Sequence, residues 1–265
     1  MSYFTFHFIF IFPPILLLLW LQQRPLAGVG GWRARFGIPL LSLVAFIYTT
    51  PWDNYLVWRK IWGYGSDRVV GTIGYVPVEE YLFFVLQCVL TGLWLYWLLK
   101  RAPESAQPAS LKMSAPKGFR LLLTVLGIGI SAAGFVMLRS PSTLYLGLVL
   151  AWAVPILTLQ WAIGAGVLWK MRRIWFISTA VPTVYLWVAD RLAIGNDIWH
   201  ISETYTTGLQ LFGLPIEEAT FFLVTNLLIT QGLILFLLLE IPHTVSHLVA
   251  EVGKTIGSSS IESRN

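Results

Sequence analysis

Long apolar runs, rather than the amphipathic stripes of a soluble fold, set the pattern of this chain. Seven of them approach the roughly 20 residues that cross a bilayer core: Tyr3–Leu21, Phe36–Thr50, Val78–Leu99, Phe119–Leu138, Thr143–Trp169, Ile174–Leu192 and Ile216–Leu239. The second is the shortest. The first has no Lys or Arg before it and no small-residue cleavage site after it, so it is expected to stay in the membrane and not to act as a signal peptide. The pattern predicts an all-α integral membrane protein with seven transmembrane helices.

Composition sharpens this reading. Hydrophobic residues make up 56%, charged residues 12%, and the mean hydropathy is +0.70, against roughly 25% charged residues in a soluble domain. A soluble Rossmann or TIM-type enzyme is excluded. The net charge of +5 then reports topology, not a nucleic-acid partner. Of the 18 Lys and Arg residues, all but Arg59, Lys60, Arg68, Arg139 and Arg191 fall in the 1–2, 3–4 and 5–6 loops and the tail. The positive-inside rule therefore places the N-terminus outside the cell membrane and the C-terminus in the cytoplasm.

The chain repeats a word. Gly74-Tyr-Val-Pro77-Val-Glu79-Glu80-Tyr-Leu-Phe83-Phe84 returns as Gly213-Leu-Pro215-Ile-Glu217-Glu218-Ala-Thr-Phe221-Phe222, each copy opening an apolar run. Asp53 stands 26 residues before Glu79, and Asp190 stands 27 before Glu217. The expected organisation is a first three-helix repeat over 1–99, a basic linker and linking helix over 100–142, and a second three-helix repeat over 143–240. A tail over 241–265, rich in Gly and Ser toward its end, is expected to be disordered. One inserted helix makes the two repeats parallel, related by a pseudo-two-fold axis along the bilayer normal, with both Glu pairs at one depth on the outer side.

Six of the 13 Asp and Glu residues (Asp53, Glu79, Glu80, Asp190, Glu217, Glu218) belong to this repeated element. Pro followed by Glu at a helix start is also an ordinary capping signal, because the free amides and the dipole favour negative charge there. Capping alone does not require two adjacent Glu residues in both copies. Carboxylates at membrane depth are costly and mark function by default. Adjacent helical residues point about 100° apart, so one Glu of each pair can face the bundle interior. The stripes expected are Glu79–Phe83–Gln87 and Glu80–Phe84–Cys88, then Glu217–Phe221–Thr225 and Glu218–Phe222–Asn226. A carboxylic acid kept protonated above aromatic rings can act as a general acid toward an apolar substrate. Phe83, Phe84, Phe221 and Phe222, with Trp52, Tyr75 and other flanking aromatics, offer π faces to a cationic intermediate; Trp and Tyr also form interfacial belts in any membrane protein. Asp53 and Asp190 are expected to support the Glu pairs, with Arg59 and Arg191 as their ion-pair partners.

Other chemistries lack their signatures. No Gly-x-Gly-x-x-Gly opens a helix, so no flavin or nicotinamide site is indicated, and no Walker loop is present. His243 and His247 have metal-ligand spacing but no placed carboxylate, so no metal site is expected. Cys88 stands alone in an apolar run and supports neither a disulfide framework nor a thiolate cluster. All six Lys residues lie in loops or the tail, which excludes a Schiff base of the retinal-binding type within the last span. No cofactor is expected, and the oligomeric state stays open.

The words Pro51-Trp52-Asp53-Asn54-Tyr55 and Ile73-Gly74-Tyr75-Val76-Pro77-Val78-Glu79-Glu80-Tyr81-Leu82-Phe83-Phe84 resemble the membrane-integral lycopene cyclases. Glu217-Glu218-Ala219-Thr220-Phe221-Phe222-Leu223-Val224-Thr225-Asn226 is similar to the second word of that family, and Trp187-Val188-Ala189-Asp190 to its upstream partner. The resemblance runs from the first helix to about Leu239. It implies a lycopene beta-cyclase, an intramolecular lyase or isomerase that turns the ψ-ends of a linear carotenoid such as lycopene into β-ionone rings. The reaction is redox-neutral and passes through a carbocation. The same resemblance carries the catalytic carboxylates onto Glu79, Glu80, Glu217 and Glu218, and absence of a fungal-type synthase domain implies a dedicated cyclase. Ala219 departs from the first copy, which has Tyr81. A carotenoid end-group hydratase or a one-end cyclase would use the same protonation. A transporter or channel would also place paired carboxylates at matching depth.

Overall fold

The computed structural model describes residues 1–22, 31–102 and 115–238. Seven long helices carry almost all of it: α1 (Tyr3–Gln22), α2 (Gly31–Trp58), α3 (Val78–Arg101), α4 (Lys117–Met137), α5 (Leu144–Lys170), α6 (Arg172–Gly195) and α7 (Ile216–Leu238). All except α6 are long and apolar enough to cross a membrane. With 24 residues α6 is no shorter than α3, but Arg172, Arg173, Asp190 and Arg191 at its ends lower its hydropathy. The chain is a helical membrane protein.

The second helix differs from the run read in the sequence. It starts before Phe36 and continues beyond Thr50 to Trp58, through Pro39 and Pro51. Hydropathy falls at Asp53 and Asn54, yet the helix goes on, because Asp53 is fully buried against its neighbours. Asp53 is therefore a buried helical residue, three residues past the end of the apolar run.

The α3 helix shows how its ends are set. Pro77 is extended (φ −61°, ψ 149°), Glu79 and Glu80 occupy the first turn, and Lys100 and Arg101 the last. Charges of these signs match the helix dipole at both ends. With 67% of their most apolar stretch buried, α3 and α7 are the most enclosed of the six apolar helices, and each opens with a Glu pair. The linking helix α4 is peripheral, with 6% buried, and lies along α5. A Cβ on Gly147 would sit 2.9 Å from the Gly134 carbonyl oxygen, so these two glycines permit the close approach of α4 and α5.

Small strands join the α2–α3 and α6–α7 loops. Here β1 (Trp62–Tyr64) pairs antiparallel with β4 (Trp199–Ile201), with Gly63 opposite His200. Two short hairpins, β2–β3 (Thr72–Ile73, Val76–Pro77) and β5–β6 (Gln210–Leu211, Leu214–Pro215), lead into α3 and α7. The hairpins turn on Gly74 (φ 66°) and on Phe212-Gly213 (φ 51° and 80°); the two glycines adopt this conformation without a Cβ penalty, whereas Phe212 does not escape it. Backbone contacts recur in pairs: Val78 N donates to Gly71 O (3.0 Å) as Ile216 N does to Leu209 O (2.9 Å), and Gly65 N donates to Ile198 O (3.1 Å) as Ser202 N does to Ile61 O (2.9 Å).

Candidate active site

Each Glu pair splits into two jobs at its helix start. Glu79 and Glu217 turn outward to the loops. Val70 N donates to Glu79 Oε1 at 2.8 Å, and Thr207 donates its N (2.7 Å) and Oγ1 (2.8 Å) to Glu217 Oε1. Both residues fasten the segment that precedes their hairpin, using a carboxylate near free helix amides. Glu80 and Glu218 turn the other way, about 100° around the helix, into a chamber between the helix tops.

About 460 Å³ of space, part of it open to solvent, lies within the walls and mouth of that chamber. Glu80, Asp190 and Glu218 line it together with Phe83, Phe221, Phe222, Tyr64 and Trp199. Asp53 is buried beside it and lies within electrostatic reach of both Glu80 and Glu218. No Lys or Arg is among the described residues that line the chamber.

Phenols hold the inward carboxyl groups. Tyr3 Oη at the start of α1 donates to Glu80 Oε2 at 2.7 Å, and Tyr145 Oη at the start of α5 donates to Glu218 Oε1 at 2.6 Å. Tyr64 Oη adds a longer bond to Glu80 Oε2, 3.4 Å. Burial, and then the neighbouring Glu80 carboxyl, hold the Tyr64 phenol well above its ordinary range, so it stays a neutral donor. Asp190 Oδ1 accepts from Trp199 Nε1 at 2.7 Å. Neither oxygen of Asp53 has a hydrogen-bond partner among the described residues.

Aromatic rings form the walls. Phe221 stacks on Trp52 (centroids 5.7 Å apart, planes 6° apart) and meets Trp62 and Phe222 edge-on at 5.7 and 5.3 Å. Phe83 and Phe222 face each other across the two repeated words, edge-on at 6.2 Å. Such ring faces attract a cation, more strongly where water is absent.

Several expectations change in this geometry. Glu80 shares the chamber with Phe83, three residues on, instead of continuing to Phe84 and Cys88. Phe84 packs with Val76 and Tyr81 outside the chamber. Likewise Glu218 meets Phe221 as well as Phe222. A turn of 3.6 residues allows either spacing, and the outward pull of Glu79 and Glu217 on the loops selects this one. Tyr75 is 55% exposed on the outer hairpin, away from the chamber. Asn226 does not extend a proton-donor stripe. It accepts from Thr91 (2.8 Å) and Gln87 (3.3 Å) and donates to Thr183 (3.0 Å), tying α7 to α3 and α6 below the chamber. Arg59 and Arg191 do not pair with the aspartates: Arg59 lies over the Tyr205 ring at 5.6 Å, and Arg191 lies against the Gly213 turn.

The departure at Ala219 has a local reason. In the first loop Tyr81 and Asn54 hold the hairpin, through Asn54 Nδ2 to Tyr81 Oη (2.9 Å), Tyr81 Oη to Ile73 O (3.0 Å) and Tyr75 N to Asn54 Oδ1 (2.9 Å). In the second loop Arg191 packs at the turn, and position 219 needs no phenol. The residues missed from sequence are Tyr3 and Tyr145. Aligning the two repeats by their first helices, Ser2-Tyr3 against Leu144-Tyr145, is the signal that finds them. His243 and His247 lie outside the described residues; His7 is buried, and among the described residues no cluster of His, Cys, Asp or Glu is set to hold a metal ion.

Sequence comparison gives relatives of known name. The chain is 42% identical over 236 residues to a lycopene beta-cyclase of Halobacterium salinarum, covering 89% of this chain and 95% of that protein. It is 38% identical over 209 residues to a bifunctional lycopene cyclase/phytoene synthase of Podospora anserina, covering 74% of this chain and 34% of the fungal protein. A similar protein of Colletotrichum graminicola is 37% identical over 200 residues, with 73% and 34% covered. No protein-family model matches the chain, and no solved structure does.

Proposed function

This chain belongs to the lycopene beta-cyclase family, and from that premise we propose that its chamber closes β-ionone rings by acid–base chemistry between Glu80 and Glu218. It is a carotenoid cyclase acting on a linear carotenoid such as lycopene. One of the two acids protonates the terminal C=C of a ψ-end. The tertiary cation that results is attacked by an internal C=C, which closes the six-membered ring. A carboxylate across the chamber then takes a proton from the ring carbon next to the new cation, leaving the β double bond. One proton enters and one leaves, and no electron is exchanged.

The observation that carries this reading is the convergence of Glu80 and Glu218, from two different helices, on one aromatic-walled chamber. Three carboxyl groups line it and Asp53 lies behind, with no cation among the described lining residues. Tyr3 and Tyr145 fix which lone pair of each Glu faces the substrate. Asp53 and Asp190 take and return protons next to the reacting pair. The rings of Phe83, Phe221 and Phe222 shield the cation from water, which favours ring closure over hydration.

The halves that supply these residues are best described as two parallel three-helix repeats over 1–99 and 143–240, joined by the linker and α4 over 100–142. The matched loop contacts and the paired Tyr–Glu bonds support this. At about 36 Å, 24 residues at 1.5 Å each, α6 is long enough to be a seventh crossing. With the basic loops cytoplasmic, the chamber lies at the outer face of the cell membrane. Expression in lycopene-accumulating cells tests the function: the wild type turns the red pigment to cyclic products, and Glu80→Gln with Glu218→Gln leaves it red. Cyclic pigment from that double variant would sink the assignment.

A further inference from the structure

Beside the chamber runs a second, less polar space. About 660 Å³ of space, part of it open to the surroundings, lies between α2, α3, α5 and α7, with Val44, Tyr48, Phe84, Trp152 and Leu228 among its walls. Phe221 lines both this groove and the carboxylate chamber, so one ring stands between the two spaces. Val44 and Tyr48 are 52% and 41% exposed, on the side where α2 faces lipid. At the outer end Tyr48 Oη donates to Trp152 O (2.9 Å), and their rings stack at 5.5 Å.

The opposite side of the bundle carries the same bridge. There Tyr185 Oη donates to Phe10 O at 2.7 Å. Below it, Asn226 bonds Thr183 (3.0 Å) and Thr179 bonds Thr230 (2.8 Å), drawing α6 onto α7. In the repeated word Asn226 corresponds to Cys88, which lines the groove. Polar ties also cross the groove side, where Gln87 donates to Thr225 (2.9 Å) and Gln160 to Leu228 O (3.1 Å), and the rest of the groove wall is mostly apolar.

We propose that this groove is the channel for the polyene chain of the substrate, which slides in sideways from the bilayer and brings its end group past Phe221 into the chamber. This rests on the acid–base reading of the chamber. Leaving lipid tails for an apolar wall gains little hydrophobic free energy, because both are apolar. Affinity must come from shape and from contact of the flat conjugated chain with ring faces, and Tyr48, Trp152, Phe84 and Phe221 supply those faces. The groove spans Leu41 to Thr49 on α2, about 12 Å at 1.5 Å per residue. It therefore seats only the part of the polyene next to the reacting end, while the far end stays in lipid. The two ends of one molecule are then served one at a time.

The test uses the full chain purified from lycopene-accumulating cells, with pigment per protein read by absorption. In the Glu80→Gln/Glu218→Gln background the protein should retain acyclic carotenoid. Ala45→Trp, which fills the groove away from the carboxyls, should lower that pigment at least fivefold, and Ala45→Val should lower it by a smaller step. Val136→Trp, on the exposed face of α4, should leave it unchanged. Undiminished pigment in a folded, groove-filled variant overturns the proposal; if the Trp variant is not recovered, Ala45→Val decides. Cyclic pigment in the Gln background would instead refute the acid–base reading, and the effect of Ala45→Trp on bound pigment would still read the groove.

Discussion

Tyr3 donates to Glu80 at 2.7 Å across 77 residues of sequence, joining the outer end of α1 to the first turn of α3. Tyr145 repeats the contact with Glu218 between α5 and α7. A buried carboxyl with one oxygen held by a phenol has its other oxygen aimed, and in both halves the aim is the same chamber. The first turns of α3 and α7, which carry the Glu words, are thus held by α1 and α5.

Glu80→Gln and Glu218→Gln should each reduce product formation by about 10²-fold or more, the usual worth of a positioned acid or base, with the protein still present in the membrane. Chromatography of pigments against the amount of protein measures this. Loss below tenfold in both would return these residues to a structural role.

Glu79→Gln and Glu217→Gln should retain activity within about tenfold, since an amide oxygen still accepts the bond from Val70 or Thr207 and a neutral hydrogen bond contributes only about 1 kcal/mol. Their loss should appear in thermal unfolding of the outer loops. Complete inactivation of both with normal folding would move the proton chemistry from the inward to the outward Glu.

Tyr3→Phe and Tyr145→Phe each remove a single bond to a carboxyl while keeping the ring, and should slow turnover by roughly five- to tenfold, about 1 kcal/mol. Unequal effects would identify which half holds the acid. Unchanged rates in both variants would show that the phenols do not position Glu80 and Glu218.

Cyclisation in heavy water should place one deuterium in each new ring, at the carbon that was protonated, because carboxyl protons exchange with solvent. Mass spectrometry of the product reads the label. Unlabelled rings would exclude any solvent-exchangeable Glu as the acid.

Turnover by purified protein should need no added flavin, nicotinamide or metal ion. The sequence has no dinucleotide fingerprint, and the proposed steps balance without electrons. Strict dependence on reduced flavin, measured by adding it back to dialysed enzyme, would overturn this.

Much of this protein was legible as sequence. Apolar runs of bilayer length could only be satisfied as helices, because lipid offers no partner to an open backbone. The duplicated Pro-x-Glu-Glu-x-x-Phe-Phe word marked the two helices that carry the carboxyls, since such groups are tolerated at membrane depth only with a reason. What the sequence could not settle was direction. Adjacent Glu79 and Glu80 are chemically identical in the chain, and only the position of the loop amide of Val70 and of the phenol of Tyr3 sends one outward and the other inward. The apolar run ended at Thr50, short of Asp53, because hydropathy counts the charge of Asp53 and not the helices packed around it. The groove was equally hidden, because its walls come from four helices far apart in sequence. Local composition determined which segments enter the membrane; long-range packing decided which faces meet, and hence where a substrate and a proton can be brought together.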